Sequence, residues 1–342
     1  MINKDYILDF AKSILAIDSP SGYTFNIINY LEGICKDKNL AFEKNKKGNL
    51  IITIPGKNDY TIGLSAHVDT LGAMVRSIRS VGTLAFTTIG GPILPTYDGE
   101  YCKVYTRDNR VYTGTFLSDS PAVHVFEDAR SKERNEKNMH IRLDEITKSK
   151  DDTLKLGISA GDFIAVDPKT IITENGFIKS RFLDDKISVA ILFGLIDYLE
   201  TNKITPVNTL KLIISTYEEV GHGAANIPAV DELLSVDMGC IGLDLACTEY
   251  DVSICAKDGS GPYDYDMTST LINLAKELKL NYAVDIYPFY SSDASAALRA
   301  GNNIRGALIG PGVAASHGME RTHWQGVENS LKLLIGYVTK EI

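Results

Sequence analysis

The chain has 342 residues, 44% hydrophobic and 23% charged, an ordinary globular composition with room for two domains. A net charge of −9 and a pI near 5.2 argue against nucleic acid or an anionic membrane as partner. Five scattered cysteines without a CxxC pair exclude a disulfide framework or a Cys-built zinc site and suit reduced thiols in a cytoplasm.

The N-terminal stretch MINKDYILDFAKSIL reads as an amphipathic helix with acidic residues inside it, not as a signal peptide. No apolar run approaches the roughly 20 residues that span a bilayer. Ser21 is expected to cap a second helix, GYTFNIINYLEGICKD. NLIITIPG and YTIGLSAHVD then read as strands, the second nearly all apolar, as for a strand covered on both faces. Between residues 74 and 166, short strand-like segments alternate with Gly, Pro and Asp-Asn turns, which predicts a small all-β domain inserted into an α/β one. Within it, EDARSKERNEKN is expected to be a solvated excursion.

After the insertion, DDKISVAILFGLIDYLETN is a helix with Ile187, Ile191, Leu195 and Leu199 on one stripe. Strands TLKLIISTYEE and MGCIGLDLAC follow, then helix TSTLINLAKELKL, strand AVDIYPFY, helix SDASAALRAG, strand IRGALIG and a closing helix, VENSLKLLIGYVTK. This alternation predicts an α/β fold, a central mixed sheet with helices on both faces.

Nearly every buried strand ends in candidate metal ligands, and in open α/β sheets ligands bind beyond the carboxyl ends of strands. SAHVDT places His67 and Asp69 two apart, on one face of an extended segment. His67 can then meet a metal while Asp69 accepts its other ring N–H. Asp184 and Asp185 precede a helix, where an N-cap is the bland account and a carboxylate bridging two cations the sharper one. In STYEEV, two adjacent glutamates leave a buried strand, an arrangement unfavourable beside an apolar core unless a cation sits there. One of Glu218 and Glu219 can coordinate while the other serves a bound water. Asp244 stands alone in a run that reads as buried, and SHGMERTHW offers His317 and His323 with Glu320 between them. The pooled donors are imidazoles and carboxylates, a set that suits zinc, cobalt or manganese in a two-metal site. Such a site lowers the pKa of a water and polarises a carbonyl, and the spare glutamate carries the proton as general base and then acid.

With these residues in order, almost the whole chain resembles the tetrahedral, glutamyl-aminopeptidase-like two-metal aminopeptidases (peptidase family forty-two of the metallopeptidases). SPSGYT, AHVDTLGAMV, RFLDDKISVAIL, TYEEVG, GLDLA, SDASAALRAG and VENSLKLL carry the resemblance. It implies a zinc-peptidase-like catalytic domain, residues 1–73 and 167–342, with an inserted β-barrel domain, residues 74–166, serving oligomerisation or substrate access. It implies His67, Asp184, Glu219, Asp244 and a C-terminal histidine as ligands, with Asp184 bridging. His317 aligns best for that histidine and His323 is the alternative. Glu218 is implied as catalytic base and Asp69 as the residue behind His67. The implied activity is release of N-terminal residues from peptides with two divalent metals per chain, zinc foremost, in a cytoplasmic homo-oligomer such as a dodecamer. The chain departs from the family at Thr70 and Leu71, which follow the HxD where a glutamate is usual, and in GHGAA after the paired glutamates.

The rival readings are a metal-dependent amidohydrolase or deacylase acting on a small N-acylated or amide-capped compound, a scaffold without chemistry, and a serine hydrolase. Residues 157–161 fit G-x-S-x-G, but a nucleophile elbow needs a strand before and a helix after, whereas a strand follows here.

Overall fold

In the computed structural model, which describes residues 1–340, the chain opens with helices α1 (Lys4–Leu15) and α2 (Phe25–Asp37) and strands β1 (Ala41–Lys44), β2 (Leu50–Ile54) and β3 (Asn58–His67). α1 buries Ile7, Phe10, Ala11, Ile14 and Leu15 along one stripe, and the Asn3 side chain caps it by accepting from the Tyr6 amide. Ser21 does not cap α2, which starts beyond Thr24 without a side-chain cap. Its hydroxyl instead donates to the Asp69 carboxylate at 2.5 Å.

Strands β4 (Gly72–Ile78), β5 (Leu84–Ile89), β6 (Tyr101–Tyr105), β7 (Val111–Ser118), β8 (Met139–Leu143) and β9 (Phe163–Val166), with the short helix α3 (Lys150–Lys155), follow. The six strands close a barrel in the order β4-β5-β8-β7-β6-β9. Alternation along each strand turns Val75, Phe86, Val104, Phe116, Ile141 and Ile164 into the core. There Phe86 meets Phe116 edge to face at 5.0 Å. The charged stretch between β7 and β8 forms only turns and bends. Ser159 of the G-x-S-x-G segment is exposed on a turn that runs into β9.

The rest of the chain is β10 (Ile171–Ile172), β11 (Phe177–Ser180), α4 (Leu183–Asn202), β12 (Asn208–Ser215), β13 (Glu232–Val236), β14 (Gly239–Cys240), β15 (Val252–Asp258), β16 (Gly261–Pro262), α5 (Tyr265–Glu277), β17 (Tyr282–Ile286), α6 (Asp293–Arg299), β18 (Arg305–Val313), β19 (Glu320–His323) and α7 (Trp324–Thr339). A ten-stranded mixed sheet runs β1-β2-β12-β3-β13-β18-β15-β16, with β17 beside β15 and β14 beside β18. β12, β3, β13 and β18 are mutually parallel. The two-residue period splits their side chains: Leu212, Leu234 and Ile309 join a core shared with α1, α4 and α7, while Ile213, Leu233 and Leu308 join one shared with α6. α4 is apolar nearly all round because the sheet, α1 and α7 all pack on it. A three-stranded sheet, β10-β11-β19, lies apart. Among the described residues no helix is long and apolar enough to cross a membrane.

One expected strand is misplaced. MGCIGLDLAC forms only the two-residue β14 and then turns, while the buried strand is the preceding ELLSV of β13. LDLA lacks an apolar partner layer, and Leu243 stands 99% exposed beside Asp244.

Candidate metal centre

Because the four central strands are parallel, their carboxyl ends share one rim. His67 is the last residue of β3, and Glu218 and Glu219 form a single 3-10 turn just after β12. Asp237 directly follows β13, and His317 sits between β18 and β19. Asp184 enters from the start of α4, where its peptide bond to Asp185 is cis and both residues leave helical geometry. One donor atom each from His67, Asp184 and Glu219 lie within 4.8 Å of one another, and so do donors from His67, Asp185 and Asp237.

The two oxygens of Asp184 face two different imidazoles. Oδ1 lies 3.1 Å from His67 Nε2, and Oδ2 lies 3.6 Å from His317 Nε2. Glu219 Oε2 is 3.7 Å from the same His317 nitrogen, while Asp237 Oδ2 is 4.0 Å and Glu218 Oε2 3.7 Å from His67 Nε2. Ligands of one tetrahedral zinc, each about 2.1 Å from the ion, stand roughly 3.4 Å apart. The Nε2 atoms of His67 and His317 thus each face carboxylate oxygens at about that spacing, and Asp184 lies against both rings.

The tautomers agree. His67 Nδ1 is 2.9 Å from the main-chain carbonyl of Asp69, and His317 Nδ1 is 2.9 Å from that of Gly91 in the loop after β5. A carbonyl only accepts, so in both rings Nδ1 carries the hydrogen and Nε2 is left facing inward. His323 is different. Its Nδ1 accepts from the Gln325 amide at 3.0 Å, which caps α7, and its Nε2 donates to the Asn175 carbonyl at 2.9 Å in the turn before β11, so both nitrogens are already committed.

Asp69 works otherwise than expected. Its carboxylate is 3.5 Å from His67 Nδ1, and the shorter contact to that ring comes from its main-chain carbonyl. The carboxylate accepts from Ser21 and from the amides of Glu218, at 3.1 Å, and Glu219, at 3.3 Å. It therefore fixes the turn that aims both glutamates. Glu320 has a similar part: Oε1 accepts from the His317 amide and Oε2 from the Asp184 amide, each at 3.0 Å.

Asp244 is not at the centre. It is exposed on the turn after β14 and joins neither group. The carboxylate grouped with His67 and Asp185 is instead Asp237, which the sequence signalled as the others were: an apolar strand, LLSV, ending in a carboxylate.

The electrostatics explain why so many acids are tolerable here only with a counter-charge. Burial disfavours a charged His67, but Asp184 first, then Glu218, Asp69 and Asp237, outweigh it and hold the imidazole pKa well above its ordinary value. Burial also opposes charge on Asp184, yet His317 and His67 keep that carboxyl below the usual range. Glu218 and Glu219 are pushed well up by burial and by neighbouring carboxylates, and Asp237 is pushed up to about 7 by burial and by Asp184. Glu219 Oε1 and Asp185 Oδ1 are buried without a hydrogen-bond partner. Orphaned acceptors among crowded acids and inward-facing imidazole nitrogens, with no thiolate, fit divalent zinc, cobalt or manganese.

Comparison with known proteins agrees. The chain is 47% identical over 334 residues to "Putative aminopeptidase YhfE" of Bacillus subtilis (strain 168), covering 97% of this chain and 96% of that protein. Its fold matches a TET aminopeptidase from a marine sediment archaeon of the Thaumarchaeota, with TM-score 0.88 and 20% identity over 98% of this chain and 96% of that one. It also matches the TET1 peptidase of Pyrococcus horikoshii, with TM-score 0.84 and 21% identity over 98% and 100% of the two chains. The M42 glutamyl aminopeptidase profile matches residues 48–333. The chain belongs to the M42 glutamyl aminopeptidase family and is a peptidase.

Proposed function

We propose that the protein is a two-metal aminopeptidase that releases N-terminal residues from peptides. His67, Asp184 and Asp237 would hold one divalent ion, and Asp184, Glu219 and His317 the other, zinc being the first choice. The observation that carries this reading is the Asp184 carboxylate, whose two oxygens face two imidazoles already oriented through their other nitrogen. When bound, the metals supply an acidified water and a polarised scissile carbonyl. Glu218, aimed by the hold of Asp69 on its amide, takes the proton of the attacking water and returns it to the leaving amine. Like the P. horikoshii peptidase, described as a tetrahedron or a large octahedral shell, the chain would work as a homo-oligomer, with the barrel serving assembly or access. Its five free cysteines accord with a cytoplasmic enzyme.

Elemental analysis should find two divalent ions per chain, and chelation should abolish hydrolysis of aminoacyl anilides. Glu218→Gln should keep the metals and lose about 10²- to 10⁴-fold in kcat. Unchanged turnover in that variant removes it as the base, and equal rates on N-acylated anilides favour a deacylase over an aminopeptidase.

A further inference from the structure

His317 sits in an uncommon conformation. It and Ala315 both hold left-handed backbone, at φ +63° and +58°, which side chains with a β-carbon disfavour. Ala314 and Arg321 close the base of this turn by exchanging main-chain bonds of 2.8 and 3.1 Å. A turn so bent keeps its shape only where contacts from outside hold it, so its polar groups lead to what aims the imidazole.

Glu320 accepts from the His317 amide, the Ile93 amide donates to its carbonyl, and the Gly91 carbonyl accepts from its ring. The next carbonyl, that of Gly318, is held by Arg181, whose Nη1 donates to it at 3.3 Å. The same Nη1 donates to the Thr96 hydroxyl at 3.2 Å, and Nη2 to the Thr96 carbonyl at 2.6 Å. Thr96 ends a single 3-10 turn, Leu94–Thr96, in the loop after β5. Its amide and its hydroxyl both donate to the Ile93 carbonyl at 2.8 Å. One planar fork therefore joins the barrel loop to the His317 turn, a geometry that a guanidinium offers and an ammonium does not.

Arg181 is only 2% exposed and lies between β11 and α4, three residues before Asp184. Burying a guanidinium is unfavourable unless its charge and its hydrogens are met. The Glu100 carboxylate, 3.7 Å from Nη2, and the face of the Tyr97 ring, 5.1 Å away, answer the charge. Nε has no acceptor. An apolar side chain could fill this space with less desolvation, so the charge is explained by what the fork holds. Two of its acceptors belong to the segments that set the His317 ring, and its own main chain runs on to Asp184. Among the described residues none of its hydrogen bonds runs to His67 or Asp237.

We propose that Arg181 is a positioning residue whose guanidinium fixes the His317 turn against the barrel loop and so holds the imidazole in place beside Asp184 and Glu219. This role rests on the two-metal reading above and deepens it. Of the two ions, Arg181 serves the one that Asp184, Glu219 and His317 would hold, and leaves the other to its own ligands.

Arg181→Lys keeps a buried charge but replaces the fork by a point donor, and Arg181→Met removes both. Zinc titrations in competition with a chromogenic chelator read the two affinities of each protein, and the affinity missing from His317→Ala marks the His317 side. That affinity should fall about 10-fold in Arg181→Lys and about 100-fold in Arg181→Met, while the other stays at its wild-type value. A general loosening of the fold would weaken both together. Thr96→Val removes only the hydroxyl that Nη1 meets, at a half-buried position that does not endanger folding. It should lower the same affinity several-fold. Two affinities that stay at wild-type values in these variants, or that weaken equally, overturn the proposal and leave the two-metal reading standing. Wild-type protein that takes up a single zinc ion overturns that reading, and the role of Arg181 with it.

Discussion

Replacing Asp237 by asparagine should make the metal-free protein more stable and the metal-loaded protein less so. Burial and Asp184 raise the Asp237 carboxyl from 3.8 to about 7. At ~1.4 kcal/mol for each tenfold in proton affinity, that is roughly 4 kcal/mol against the folded, metal-free state once the group is ionised. The sign follows from the direction. A carboxyl whose folded pKa lies above its unfolded one carries no penalty below about pH 4. The penalty grows as the pH rises and is complete above about pH 7. Asparagine removes the charge and can still accept from the Met238 amide, but it leaves a poorly matched buried amide, which costs about 1–3 kcal/mol. The net gain at pH 8 is then about 1–3 kcal/mol. With an unfolding entropy of about 2.1 cal/mol/K per residue, a chain of this length should melt about 1–4 °C higher. Zinc should reverse the order, because an ion that binds only the folded state at a hundred times its Kd adds about 2.7 kcal/mol, and the variant would lack one of the carboxylates proposed to hold it. Differential scanning fluorimetry of chelated and zinc-loaded samples at pH 5 and pH 8 reads all four cases. Asp244→Asn, exposed and unpaired, should shift neither state by more than about 0.5 kcal/mol. A chelated Asp237→Asn protein that melts below chelated wild type at pH 8, or that gains as much from zinc, refutes the reasoning.

His317→Ala should lower the bound metal from two ions to one, measured by elemental analysis after dialysis. His323→Ala should keep both and lose only about 1 kcal/mol of stability as the α7 cap disappears. Glu320→Gln sets an amide NH₂ against one of the two main-chain N–H groups that Glu320 receives. It should weaken zinc binding about 10- to 100-fold in a competition titration with a chromogenic chelator. Asp69→Asn should retain both metals but lower kcat about 10- to 100-fold as the paired-glutamate turn loses its anchor, with KM little changed.

Much of this arrangement was legible in the sequence because the signal is local: an apolar strand that ends in a ligand-type residue. That logic found His67, Glu218, Glu219 and the Asp184 turn, and it applied equally to LLSVD. It missed there because MGCIGLDLAC looks apolar enough to be the strand, and only the packing of β13 between β3 and β18 shows which run is buried. Whether His317 or His323 faced the rim depended on where their second nitrogens point, and those partners, Gly91 and Asn175, lie 226 and 148 residues away in sequence. Ser21 shows the same limit, since a serine before a helix reads as a cap until the fold brings Asp69 to it. Contacts between distant segments decided each of these cases.

The hold of Gly91 on His317 also binds the barrel to the chemistry. The same loop gives its Ile93 amide to the His317 carbonyl at 3.0 Å, and Gly90 holds φ +71°, where a β-carbon would be strained and would sit 2.4 Å from a methyl of Leu71, which would have to shift. A chimaera that exchanged the insertion for a foreign one would therefore also change the aim of an imidazole at the rim. Cutting the insertion out would leave that ring without its guide, so the two bodies have to be engineered as one unit.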